Sequence, residues 1–177
     1  MHTRFLLERT GAEFRHEGQA RDGSISWYGE GFINGTNADD IVFDKTFHQT
    51  REPLGCISSI KTLNSGSWEY IRKKCGIDRK QPDAAMLVWL RWNEMIERRA
   101  EWRYRLEDME SAWPEMLNRL GLPSTTRPGI PWGTRGPNPH SRKHHGDYHS
   151  FTWDELKDIN TSLAEQTKDM AGRYGYT

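Results

Sequence analysis

Arg51 and Ser59, eight residues apart, are the pair whose types and spacing could do chemistry, and that chemistry is anion binding. They lie in the run TFHQTREPLGCISSIKTLN, which reads as a short strand over Lys45–Thr50 turning at once into a helix. Pro53 suits the first helical position, where its missing N–H would have no intrahelical partner and its φ is already helical. Glu52 at the entry complements the positive end of the helix dipole. Free backbone donors, the dipole and the guanidinium fork of Arg51 together favour a phosphate. Taken alone, Arg51 reads as a surface ion-pair residue; the hydroxyl of Ser59, inside the same helix, supplies the second donor. His48, three residues before Arg51, points to the opposite face of the strand and reads as a structural or supporting histidine.

A second cluster of reactive types lies in HSRKHHGDYH, from His140 to His149. His140, His144, His145, His149 and Asp147 are all competent metal ligands. Pro139 and Gly146 break helical spacing there, however, and the intervals match no zinc pattern, so no metal is expected. Cys56 and Cys75 form no CxxC or zinc spacing, which fits a reducing compartment.

The elements that must hold these groups follow from periodicity and punctuation. Met1–Arg9 reads as the tail of a helix stopped by Gly11, and Ala12–Glu17 as a short strand. Asp22-Gly23 is a turn, and Ser24–Tyr28 is either strand or helix. Asn34–Asp40 is a polar loop. Ser67 is placed to cap a helix over Trp68–Cys75, closed by Gly76. From Pro82 to about Ala100, the residues Ala85, Val88, Trp89, Trp92, Met95 and Ile96 recur at helical spacing and form one apolar face. Trp102, Tyr104 and Leu106 alternate with charged residues as in a strand with one buried face. Pro114 is expected to start a helix that Gly121 ends. The segment 123–150 is rich in proline and glycine and reads as a long ordered loop or a lid. Thr152 and Glu155 form a capping box opening the C-terminal helical segment 151–177, whose final helix is predicted over Thr161–Arg173.

With 177 residues, the chain has the length of a single domain with a real core. Its hydrophobic share is low, 34%, and its eight tryptophans partly offset this because each aromatic buries a large area. A net charge of zero gives no global field to draw nucleic acid or an anionic membrane, so any phosphate attraction must be local. No apolar run approaches the ~20 residues of a membrane span, and the N-terminal residues lack the apolar core of a signal peptide. A soluble cytoplasmic protein without membrane or nucleic-acid partners is the expectation.

The run from Gln49 to Leu54, followed by Ile57-Ser58-Ser59, resembles the 3′-phosphate-binding segment of the sulfotransferase family, and its bacterial branch in particular. His16-Glu17 with Arg21-Asp22-Gly23 and Ser26-Trp27, the stretch WLRWNEMIERRAEWRYRLEDM, the TWDEL after Phe151 and the closing RYGY are similar to further family segments, in the same order along the chain. The resemblance implies an α/β fold: three layers, with a small, mainly parallel sheet flanked by helices, related to the P-loop nucleotide folds. It also implies a co-substrate, 3′-phosphoadenosine 5′-phosphosulfate, and transfer of its sulfuryl group to a hydroxyl of a carbohydrate or small molecule. Arg51 and Ser59 would grip the 3′-phosphate, Arg142 and Lys143 would close over the donor, and Glu17 or His16 would serve as the base.

One family element has no counterpart here. The family opens with a strand and a Gly-, Ser- and Thr-rich loop whose clustered backbone donors hold the 5′-phosphosulfate. This sequence opens at Met1-His2-Thr3-Arg4, which contains no glycine and reads as already inside the helix after that loop. Two expectations follow: a sulfotransferase whose first strand and loop lie outside this sequence, or a sulfotransferase-type binding module with an impaired or absent activity.

Overall fold

The computed structural model describes residues 15–16, 24–25, 45–125 and 149–176. Among them are four short strands and six α-helices, and every strand pairing is parallel, so the fold is mixed α/β with small parallel sheets. The chain divides into two compact units, one comprising Met1–Thr50 with Met95–Ile130 and the other Arg51–Glu94 with Pro131–Thr177.

In the first unit, β1 (Arg15–His16) pairs with β2 (Ser24–Ile25), Arg15 opposite Ser24. β3 (Phe47–Thr50) pairs with β4 (Trp102–Arg105), in a register that sets Phe47 opposite Trp102 and Thr50 opposite Arg105. Parallel neighbours require a long crossover between them, which the chain from Arg51 to Glu101 supplies. β3 begins two residues later than the pattern predicts, at Phe47, and its burial alternates: His48 and Thr50 are buried and Gln49 is exposed. The pair is held by more than backbone bonds. The Tyr104 hydroxyl donates to Gln49 Oε1 at 3.0 Å, and Thr50 Oγ1 donates to the Tyr104 carbonyl at 3.3 Å. Trp102 stacks on Tyr104 with centroids 5.0 Å apart and meets Phe47 edge-on at 5.3 Å.

After β4 a single 3₁₀ turn, Leu106–Asp108, leads into α4 (Met109–Leu120). Pro114 therefore lies inside this helix, not at its start as expected; the 3₁₀ turn and Met109 begin it five residues earlier. Met109, Trp113, Met116 and Leu117 from one face of α4 make this unit's core with Tyr104. Gly121, at φ +66°, ends the helix in the left-handed conformation that glycine adopts without a Cβ clash.

The second unit is helical. It contains α1 (Pro53–Lys61), α2 (Ser65–Cys75), most of α3 (Ala84–Glu97), α5 (Trp153–Ile159) and α6 (Thr161–Arg173). α2 starts earlier than expected because Asn64, not Ser67, is its cap: the Asn64 Oδ1 accepts the Ser67 N–H at 2.9 Å. α3 starts after Pro82 and ends at Glu97, shorter than the apolar period predicts. Ile57, Met86, Trp89, Leu90, Leu156, Met170 and Ala171 are among its buried core residues, with Phe151 and Tyr174 closing the sides.

Asn160 joins two of these elements. Its Oδ1 accepts the Leu163 N–H and so caps α6, and its Nδ2 donates to Asp83 Oδ2 at 2.8 Å, just before α3. The expected box at the start of α5 is present in full: Thr152 Oγ1 accepts from the Glu155 N–H, and Glu155 Oε2 accepts from the Thr152 N–H. α6 spans the predicted Thr161–Arg173. The helix expected at Met1–Arg9, the loop at Asn34–Asp40 and residues 126–148 of the expected lid lie outside the described residues.

Candidate functional site: the α1 entry

The start of α1 is closed by its own N-cap. Glu52 curls back so that Oε1 accepts the Leu54 N–H at 2.8 Å and Oε2 accepts the Gly55 N–H at 2.6 Å. Its carbonyl accepts the Cys56 N–H at 3.2 Å, and Pro53 has no N–H to offer. The donors of the first three helical positions are thus accounted for within the segment. This corrects the expectation of free backbone donors: any anion held here is held by side chains.

Two side chains remain suited to that. Arg51 is exposed and makes no ion pair with a described residue. Ser59 is half-buried in the middle of α1, and its hydroxyl makes no hydrogen bond to a described residue; only its carbonyl is used, by the Thr62 N–H and Oγ1. One turn before Ser59 on the same face stands Gly55, with no side chain to cover the hydroxyl.

The neighbouring serine has a different part. Ser58 is 1% exposed, donates to the Leu54 carbonyl at 2.7 Å and accepts the Phe151 N–H at 2.9 Å. One step of about 100° around the helix separates a serine that fixes the fold from a serine available to a ligand. Nothing in the sequence separated these roles, because Ser58's partner is 93 residues away.

The remaining predicted site residues are not brought to this helix by the described structure. His16 lies in β1, while Glu17, Arg142 and Lys143 lie outside the described residues, as do His140, His144, His145 and Asp147. His48 is buried, in keeping with a structural histidine. His149 is exposed, with Nε2 2.7 Å from Glu155 Oε1 and its ring edge against Phe151. The Glu155 carboxyl is held below the usual carboxylate range, first by the Thr152 backbone N–H and then by His149 and the Thr152 hydroxyl. No cluster of metal-competent side chains occurs among the described residues. On the opposite side of α1, Ile57 and Lys61 line a cavity with Trp68, Arg79 and Lys80, residues whose convergence the sequence did not reveal.

Comparison of the chain with protein-family models, with curated proteins and with solved structures found no match.

Proposed function

We propose that this chain is a sulfotransferase-like protein that takes the 3′-phosphate of 3′-phosphoadenosine 5′-phosphosulfate between Arg51 and Ser59. The observation that carries this is the pairing, at one short helix, of an exposed arginine with no ion pair to a described residue and a serine hydroxyl with no described partner. A guanidinium fork matches two phosphate oxygens, and a hydroxyl matches a third. The reaction is transfer of the sulfuryl group to a hydroxyl of a carbohydrate or small molecule. A base must take the acceptor proton and cations must meet the developing charge. Glu17 or His16 is proposed for the first role, and Arg142 with Lys143 for closing the donor site. The proposed fold is the three-layer, P-loop-related arrangement of that family. The proposed location is the cytoplasm; no helix among the described residues is long and apolar enough to cross a membrane.

A second reading, a binding module of the same type without transfer activity, is favoured by one observation. The Glu52 carboxylate occupies the α1 N-terminus and places a negative charge beside Arg51, so the phosphate gains neither the backbone donors nor the full dipole. Turnover with a labelled sulfate donor separates the two readings.

The binding claim itself is tested by calorimetry with adenosine 3′,5′-bisphosphate on the native chain and on Arg51→Ala. Hydrogen bonds to charged groups contribute about 1.5–3 kcal/mol, so the variant should bind roughly ten- to a hundredfold more weakly. Equal affinity for both proteins would remove Arg51 from the site and with it the basis of the reading.

A further inference from the structure

The face of α1 turned away from Ser59 borders a cavity of about 430 Å³ lying wholly within the helical unit. That is the size of a small-molecule pocket, for which ~300–1,000 Å³ is usual. Its walls are apolar: Ile57, Met86 and Leu156 come from the core, and Phe151 and Trp68 add aromatic surface. Its polar side is cationic, built from Lys61 at the end of α1 and from Arg79 and Lys80 in the loop after α2. No carboxylate among the described residues lines it.

The three cations lack the partners that surface lysines and arginines usually find. None of them makes an ion pair with a described residue. The Lys61 ammonium instead lies 4.8 Å from the centroid of the Phe151 ring, which keeps its charge at the rim. The nearest acid in sequence, Asp78, is turned to its own loop, accepting the Lys80 backbone N–H at 2.9 Å.

We propose that this cavity binds a small organic anion with an aromatic or branched aliphatic body, the body against Ile57, Met86 and Phe151 and the acid group among Lys61, Arg79 and Lys80. The ligand class follows from the pairing of an apolar wall with a cationic rim that has no ion pair among the described residues. Carboxylate, sulfonate, sulfate-ester and phosphate-ester head groups share the chemistry the rim requires. This site is on the opposite face of α1 from Ser59 and does not rest on the nucleotide reading.

The test uses two fluorescent probes on the full chain: the anionic 8-anilinonaphthalene-1-sulfonate and the neutral N-phenyl-1-naphthylamine, which share one apolar body. The expected result is saturable one-to-one binding of the sulfonate to the native protein. Replacing two of the three cations, in Lys61→Gln with Arg79→Gln, should weaken it roughly tenfold and leave the neutral probe within about twofold. These positions are exposed, so the variant keeps its fold, which circular dichroism verifies. Arg51→Ala should change neither probe, which keeps this result distinct from failure of the nucleotide site. The proposal is overturned if the native protein shows no one-to-one sulfonate binding, if both probes respond alike to the charge removal, or if Arg51→Ala has the same effect as the double variant. Competition by an aromatic carboxylate and by its phosphate-ester analogue then ranks the head groups.

Discussion

At the scale of single residues, adjacent serines on α1 have opposite tasks, and their energetics should separate cleanly. Ser58→Ala removes the acceptor of the buried Phe151 N–H and the donor to the Leu54 carbonyl. Leaving that N–H unsatisfied costs about 1–3 kcal/mol, and a lowered urea midpoint with an unchanged slope would register it. Ser59→Ala breaks no hydrogen bond to a described residue and should stay within about 0.5 kcal/mol of the native protein. A Ser58→Ala variant as stable as the native chain would show that Phe151 finds another acceptor. That Arg51 precedes a helix and Ser59 lies inside it was legible, because Pro53 signals the helix start locally. The closing of the helix start by Glu52 was not, because a carboxylate at that position can either turn back on its own helix or reach a neighbouring cation. Only the backbone angles at Glu52, φ −43° and ψ 121°, decide between these.

Among the elements, those defined by local signals were legible and those defined by distant partners were not. Thr152 and Glu155 mark the start of α5 within a few residues of sequence, and α6 forms over the predicted Thr161–Arg173. The start of α2 was misplaced because Asn64, Ser65 and Ser67 are all capping types, and tertiary placement selects the first. The β3–β4 register depends on strands more than fifty residues apart, through contacts such as Tyr104 to Gln49, which periodicity cannot supply. The α5 cap also carries a pH dependence. Glu155 titrates below its ordinary value in the folded chain, chiefly through the Thr152 backbone N–H. A carboxyl depressed by folding adds stability that is fully present above the unfolded pKa, about 4.3. That contribution disappears as pH falls through the lower folded value. Thr152 and Glu155 amide resonances, followed from about pH 6 downward, should move together in that acid window as the cap opens. In Glu155→Gln the coupled step should vanish. Persistence of the step in that variant would assign it to another group.

For the whole molecule, the two units meet the same shortage with aromatic side chains. A chain with 34% hydrophobic residues has little aliphatic mass, so each core is organised around tryptophan. Trp113 is fully buried in the unit that holds the β3–β4 pair, and its Nε1 donates to the Thr125 carbonyl at 3.0 Å; Trp89 lies in the helical unit against Tyr174. The aromatic count announced such cores, but not their division between two units. Zero net charge likewise announced that anion binding must be local. Cations without an ion pair to a described residue stand at two places along α1, Arg51 before it and Lys61 with Arg79 and Lys80 at the cavity. Binding at either place should therefore depend on contacts at short range, and only weakly on long-range steering. We propose above that Arg51 and Ser59 recognise a 3′-phosphate. The most direct test of this is a calorimetric comparison, on the full native chain, of adenosine 3′,5′-bisphosphate with adenosine 5′-monophosphate, which differ only in that group. The bisphosphate should bind at least about tenfold more tightly; equal affinities for the two nucleotides would contradict the assignment.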